Sequence, residues 1–318
     1  MVTTVAVLAR GDFKAAAFRA AIPGHEFLAV DPLGALADAA RAEVAIGGTD
    51  PERLGALLAA APGLRWYATT AAGVDRLVAA GFADRPDLVL TNNAGAYDVS
   101  MAEHAIALMF SAAKGLSAYT RSQAARAWVR GPRPAELRGA TLVVHGMGAI
   151  GSECARLAAA LGMDVIGVRR RPGAPPPWVR RVVGPERLLE VAREADYLVA
   201  AAPLTPATRG SISAAVLAAL RPTAWLVNIG RGAIVDEDAL VAALAAGRIG
   251  GAALDVFSVE PLPKDHALWA LPNVIITPHA SALSPSIIGR TIAMFAANLE
   301  RWNRGEPIQN RIDPEAGY

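Results

Sequence analysis

Apolar runs of strand length alternate with alanine-rich stretches of helical period along most of the chain. In the first hundred residues TTVAVLA, HEFLAV, VAIGG, LRWYATT and LVLTNN read as strands. Between them the pattern predicts helices near Phe13 to Ala21, near Gly34 to Ala42, over Pro51 to Ala60 and just after Gly73. Such alternation points to parallel βαβ units, because a parallel strand needs a crossover and a helix supplies it. From Val99 to about Ala127 the period turns helical, with Ala102, Ile106, Met109 and Ala113 on one face and Glu103 and Lys114 off it, so one long helix is expected. A loop rich in Gly and Pro, GPRPAELRG (Gly131 to Gly139), follows. A second alternating set then runs through TLVVHG, DVIGVRR, DYLVAAAP, AWLVNIG, GAALDVF and NVIIT. Its helices are expected over Ile150 to Leu161, near Pro185 to Ala192, near Ser213 to Leu220 and over Asp236 to Ala246, with a last helix from Ser286 to Trp302. The fold expected is α/β, with two lobes built on doubly wound parallel sheets.

Composition narrows the class. A chain of 318 residues has room for two ordinary domains, and 53% hydrophobic with 19% charged residues describes a globular protein. No apolar stretch reaches the roughly 18 residues that cross a bilayer, so no membrane partner is expected. The net charge of +2 comes from intermixed signs without a basic block, and no nucleic-acid partner is expected. Cys154 is the only cysteine, which rules out an intrachain disulfide and any multi-cysteine metal site. The opening MVTTVAVLAR reads as a first strand and not as a leader, so the expected setting is the cytoplasm. His25, His145, His266 and His279 lack metal-ligand spacing, and no metal is expected.

Two sets of residues carry chemistry. Gly146, Gly148 and Gly151 form GxGxxG directly after the strand TLVVH and at the start of a helix. The first glycine permits the tight turn, the second lets a pyrophosphate approach the backbone, and the third lets helix pack on strand. Free N–H groups of Ala149 and Ile150 and the helix dipole would then hold the phosphates of a dinucleotide. About twenty residues on, where an acid would accept a ribose 2′-hydroxyl, this chain has Arg169, Arg170 and Arg171. Three guanidiniums suit a 2′-phosphate, so NADP is expected in preference to NAD. The second set is Arg231, Glu260 and His279, each following an apolar run: AWLVNIG, GGAALDVF and NVIIT. Reduction of a 2-oxo acid needs a cation for the carboxylate, a proton donor for the developing alkoxide and a hydride source held in line. Arg231 can supply the fork, His279 the proton, and Glu260 the partner that orients the imidazole and favours its charged form.

The segments HGMGAIG, NIGRGAIVDEDAL, ALDVFSVEPLP and TPHAS resemble, in order and spacing, the signatures of the D-isomer specific 2-hydroxyacid dehydrogenase family, which includes glyoxylate/hydroxypyruvate reductases. TTAAGVDRL and NNAGAYDVSMAEHAIAL look like that family's substrate-lobe motifs. The resemblance implies two Rossmann-like or flavodoxin-like lobes with the active site in the cleft between them. Residues 1–98 with 286–318 would form the substrate-binding domain, and 99–285 the dinucleotide-binding domain. It assigns Arg231, Glu260 and His279 to catalysis, and Ala72, Gly73, Val74 and Tyr97 to the substrate. Beyond the glycine turn and the arginines, Pro203, Thr208, Ile229, Asp255, His279 and Ser281 would contact the cofactor. It further implies a small 2-oxo or 2-hydroxy acid as substrate and a homodimer joined through the nucleotide lobe. A non-catalytic NAD(P)-sensing corepressor on the same scaffold is the alternative. Trp128, Arg130 and Arg133 could face either a substrate or a subunit partner.

Overall fold

A computed structural model gives the fold and describes residues 2–8, 14–31, 36–131, 134–313 and 317. Phe13, Gly34 and Arg133 lie outside the described residues. The chain divides into two compact units, Met1–Tyr97 with Ser284–Tyr318, and Asp98–Leu283.

In the first unit β1 (Thr4–Leu8), β2 (Glu26–Ala29), β3 (Val44–Gly47), β4 (Trp66–Thr69) and β5 (Val89–Thr91) pair in the order β2-β1-β3-β4-β5, every pair parallel. This is the flavodoxin-like order. Alternate residues of β1 feed opposite faces. Val5 and Val7 pack with Phe18 of helix α1 (Ala15–Ala21), while Ala6 and Leu8 pack with Leu54 and Leu57 of α2 (Pro51–Ala60) and Leu77 of α3 (Asp75–Ala79). Both faces are therefore covered, which is why the strands read as nearly continuous apolar runs. The chain's last helix, Ile287–Asn303, returns to this unit, where Phe295 stacks on Trp66 with centroids 5.2 Å apart. Asp50 caps α2 by accepting from the Glu52 N–H, with Pro51 in the first turn where its missing N–H costs nothing. Of the helix expected near Gly34 to Ala42, the described part is a short 3-10 turn at Ala37–Ala39.

The second unit begins with α4 (Asp98–Lys114) and α5 (Leu116–Ala124). It continues through β6 (Thr141–His145), α6 (Ala149–Ala160), β7 (Asp164–Val168), β8 (Arg181–Val183), α7 (Leu188–Ala192) and β9 (Tyr197–Ala200). Next come α8 (Ala214–Ala219), β10 (Trp225–Asn228), α9 (Glu237–Ala245), β11 (Gly251–Leu254) and β12 (Val274–Ile276). The sheet order is β12-β11-β10-β9-β6-β7-β8, again parallel throughout. Counted from β6, this is the Rossmann order with one strand added beyond β11. The order reverses between β6 and β9, and ligands of such sheets bind outside the carboxyl ends of the strands at that point.

Two elements differ from the sequence reading. The single helix expected over Val99 to Ala127 breaks at Gly115, whose φ of +66° no helix interior accommodates. Its first part, α4, packs against α6, β10 and β11. The edge strand β8 was not anticipated, because its three residues follow Arg180 and begin with Arg181, a charged stretch without an apolar run.

Candidate active site

Three neighbouring strands, β10, β11 and β12, end on the same side of the sheet, and the expected catalytic residues follow them in turn. Asn228, the buried last residue of β10, shapes the first turn: its Oδ1 accepts from the Gly230 N–H at 3.1 Å and its Nδ2 donates to the Arg231 carbonyl at 3.1 Å. Arg231 Nη1 donates to the Gly230 carbonyl at 2.9 Å. Gly232 then brings this turn against the loop after β11, since a β-carbon added there would fall 1.9 Å from Phe257 C and 2.3 Å from Ser258 N. In that second loop Glu260 Oε1 accepts from the Phe257 N–H at 2.9 Å, and Oε2 lies 2.7 Å from His279 Nδ1. Glutamate and imidazole are thus in direct contact. The arginine's turn is packed against the glutamate's loop through Gly232.

His279 has φ +53°, in the left-handed region that residues other than Gly adopt uncommonly. Its N–H donates to Asp255 O at 2.8 Å and to Thr277 O at 3.1 Å. The Asp255 side chain, fully buried, receives Thr277 Oγ1 at 2.5 Å, Ala280 N at 2.8 Å and Ser281 N at 2.9 Å. Burial pushes its carboxyl up, but the hydrogen bonds from Ser281, Thr277 and Ala280 outweigh that and hold it below the ordinary carboxylate value. Asp255 is therefore an ionised brace for the segment that carries His279, a job visible in the structure and not in the sequence pattern. Asn228 and Thr277 are equally invisible there as site residues; the only signal was a polar residue at the end of an apolar run.

The glycine turn meets its geometric requirements. Gly146 has φ +105°, and a β-carbon on it would lie 2.3 Å from Ala202 N. A β-carbon on Gly151 would lie 2.0 Å from Gly146 O. Gly148, which caps α6 in an extended conformation, has open space where its β-carbon would be, and Ala149 beside it is exposed. Two glycines are thus demanded by backbone packing, and the third leaves open the first turn of a helix, the kind of place where anions bind. Arg169, Arg170 and Arg171 are exposed immediately beyond β7, and both Gly146 N and Met147 N bond to Val168 O at that strand's end. The triplet is therefore next to the turn. Pro203 to Thr208 follows β9 as a self-tied loop, with Thr208 Oγ1 donating to Pro203 O at 2.6 Å. Ile229 is buried just after β10, and Ser281 is buried behind Asp255.

In the first unit half-buried Ala72 and Gly73 and buried Val74 form the turn between β4 and α3. Tyr97 donates its hydroxyl to the Thr70 carbonyl at the base of that turn, and Asn93 Nδ2 reaches the same carbonyl at 3.1 Å. His145 is buried at the end of β6. Cys154 is buried in α6, where burial pushes its thiol up to about 12, far from a working nucleophile. Among the described residues no group of three or more His, Cys, Asp or Glu could hold a metal ion, and no helix is long and apolar enough to cross a membrane.

The chain is similar to known proteins in sequence and fold. The model of a family described as D-isomer specific 2-hydroxyacid dehydrogenase, NAD binding domain, matches residues 106–281. Over 269 residues the chain is 38% identical to a glyoxylate reductase of Aeropyrum pernix, covering 81% of this chain and 79% of that protein. A D-isomer specific 2-hydroxyacid dehydrogenase from Xanthobacter autotrophicus, solved in complex with NADPH and MES, superimposes with a TM-score of 0.87 at 31% identity over the whole of both chains. An NADPH-dependent glyoxylate/hydroxypyruvate reductase from Sinorhizobium meliloti, solved with NADP and sulfate, gives a TM-score of 0.86 at 29% identity, covering 99% of this chain and 100% of that one.

Proposed function

The chain belongs to the D-isomer specific 2-hydroxyacid dehydrogenase family of NAD(P)-dependent oxidoreductases, and from that membership we propose that it reduces a small 2-oxo acid to the D-2-hydroxy acid. The substrate is of the glyoxylate or hydroxypyruvate kind, and the cofactor is NADPH, with NADH accepted less well. The observation that carries this reading is the 2.7 Å contact of His279 Nδ1 with Glu260, beside the turn that presents Arg231. The preference for NADPH is supported by the three exposed arginines after β7, with no carboxylate among them to repel a 2′-phosphate. The NADPH and NADP complexes of the two similar enzymes point the same way.

The residues present fit a dinucleotide: Gly148 leaves its first-turn backbone open to a pyrophosphate, while Gly146 and Gly151 cannot carry a side chain. Pro203, Thr208, Ile229, Asp255 and Ser281 would hold the nucleotide there with the glycine turn, and its reduced nicotinamide would supply a hydride for the carbonyl carbon. The protein does the rest. Arg231 grips the substrate carboxylate with its fork and polarises the carbonyl. Glu260 accepts from Nδ1–H, so Nε2 is the nitrogen of His279 left to face the substrate, and Nε2–H of the imidazolium protonates the developing alkoxide. In the oxidation direction the neutral ring takes that proton back. We assign the backbone of Ala72, Gly73 and Val74, with Tyr97, to the substrate. A homodimer is part of this reading, supported by exposed apolar side chains on and after α5: Leu116, Tyr119, Trp128 and Val129.

A panel of glyoxylate, hydroxypyruvate, pyruvate, 2-oxobutyrate and bulkier 2-oxo acids, with NADPH and NADH oxidation followed by absorbance, tests the proposal. Turnover of the small members, faster with NADPH, is expected. Oxidation of neither nucleotide above background across the panel would replace the reductase with a non-catalytic nucleotide-binding protein.

A further inference from the structure

Helix α4 carries Ser100 and His104 one turn apart, and both reach the segment around His279. Ser100 Oγ lies 3.0 Å from Ser281 O and 3.2 Å from Leu283 O. His104 Nε2 lies 3.1 Å from Thr277 Oγ1 and 3.8 Å from Asp255 Oδ1. Thr277 Oγ1 in turn lies 2.5 Å from Asp255 Oδ1. Proton counting gives this chain a single sense. A hydroxyl has one proton to give, and an ionised carboxylate can only accept. The threonine proton therefore goes to Asp255, and the threonine oxygen must accept from His104, which requires hydrogen on Nε2. The far end of the chain is the braced carboxylate, which also receives Ala280 N and Ser281 N, while the carbonyl of Asp255 receives His279 N.

A histidine that merely fills space needs no preferred tautomer and tolerates an apolar ring of similar size. This one aims a donor at a hydroxyl whose one other partner among the described residues is the Asp255 carboxylate. Resting on the reductase reading, we propose that His104 is a positioning residue: by donating from Nε2 it orients the Thr277 hydroxyl into Asp255 and so fixes the backbone that presents His279. Without that donor the hydroxyl is free to turn toward other acceptors. A fully buried carboxylate then loses one of its donors, at the point where its brace on the Ala280 and Ser281 amides matters.

The test compares His104→Phe, His104→Gln and Thr277→Val, with the Phe and Val changes also combined, all in the full chain. NADPH affinity is read by nucleotide fluorescence, and kcat and KM with a 2-oxo acid that the wild type reduces. His104→Phe and Thr277→Val are each expected to lower kcat about tenfold, the double variant no more than the worse single one, and the carboxamide of Gln, which places a donor where Nε2 stands, to restore most of the loss. Wild-type behaviour of His104→Phe, losses that multiply in the double variant, or Gln as impaired as Phe would overturn the proposal. Should the Phe variant fail to fold, the nitrogen-15 shifts of His104 in the wild type decide: hydrogen on Nε2 supports the chain of donors, and hydrogen on Nδ1 alone sinks it. If the wild type reduces no 2-oxo acid the reductase reading fails separately, and NADPH affinity across the same variants still decides whether His104 holds the site.

Discussion

At the scale of single residues, His279, the proposed acid, combines its contact with Glu260 and an unfavourable backbone. A side chain at φ +53° costs roughly 1 kcal/mol or more, and the structure holds it there with the amide's bonds to the Asp255 and Thr277 carbonyls. Asn tolerates this conformation better than Ala does, so His279→Asn removes the acid with the least disturbance of the loop. The expected result is a fall in kcat by a factor of about 10² to 10⁴, the usual worth of a general acid, with NADPH affinity near wild type. Turnover close to wild type would remove His279 as the proton donor. In the proposed reading, cofactor choice rests on a different residue. Arg169 is exposed directly after β7, and Arg169→Asp would set a carboxylate where a 2′-phosphate should lie and a ribose hydroxyl could be accepted. It should raise the KM for NADPH far more than that for NADH. An unchanged ratio of the two would place the phosphate elsewhere.

At the scale of elements, glycines separate what the fold needs from what the ligand needs. Gly148→Ala adds a methyl into open space at an ordinary φ of −83°, so the variant should fold with wild-type stability yet bind NADPH weakly. Gly232→Ala adds its methyl onto the backbone of Phe257, forcing the Arg231 turn away from the Glu260 loop at a cost of about 3 kcal/mol or more, with activity falling accordingly. Thermal melts and nucleotide titrations distinguish the two; a Gly148→Ala variant with full affinity would mean that no phosphate approaches that turn. The same contrast explains what the sequence made legible. The strands and the glycine turn stood out because period and φ requirements are local, and Arg231, Glu260 and His279 stood out because each follows an apolar run. The break at Gly115 and strand β8 did not, since one glycine in a helical pattern and a charged edge strand carry little local signal. Asn228, Thr277 and the brace by Asp255 depend on which strand ends become neighbours, and that is set by sheet order and not by any run of residues.

At the scale of the whole molecule, acid should weaken the second unit through a group with no functional part in the reading above. His145 sits buried at the end of β6 with Nε2 2.8 Å from Ser211 Oγ, while Nδ1 is buried with no hydrogen-bond partner among the described residues. Burial pulls its imidazole down from 6.5 to about 4. Above pH 6.5 the ring is neutral folded or unfolded, and its stability contribution is complete. As pH falls from 6.5 toward 4 the unfolded chain takes up a proton that the native state refuses, so stability is lost through that window, reaching about 3 kcal/mol at its acid end. Asp255, held below the ordinary carboxylate value, loses its contribution in the same direction at more acid pH. Cys154, the chain's only cysteine, is buried in α6 of this unit, so a brief pulse of thiol reagent after equilibration in urea reports the unfolding of this unit specifically. The urea midpoint should drop steadily between pH 7 and 4.5, and His145→Val, which keeps an apolar strand residue and removes the titration, should flatten that slope. An equal slope in the variant would show that the acid sensitivity of the unit arises elsewhere. A flattened slope would trace that sensitivity to the packing of one histidine that takes no part in the proposed site.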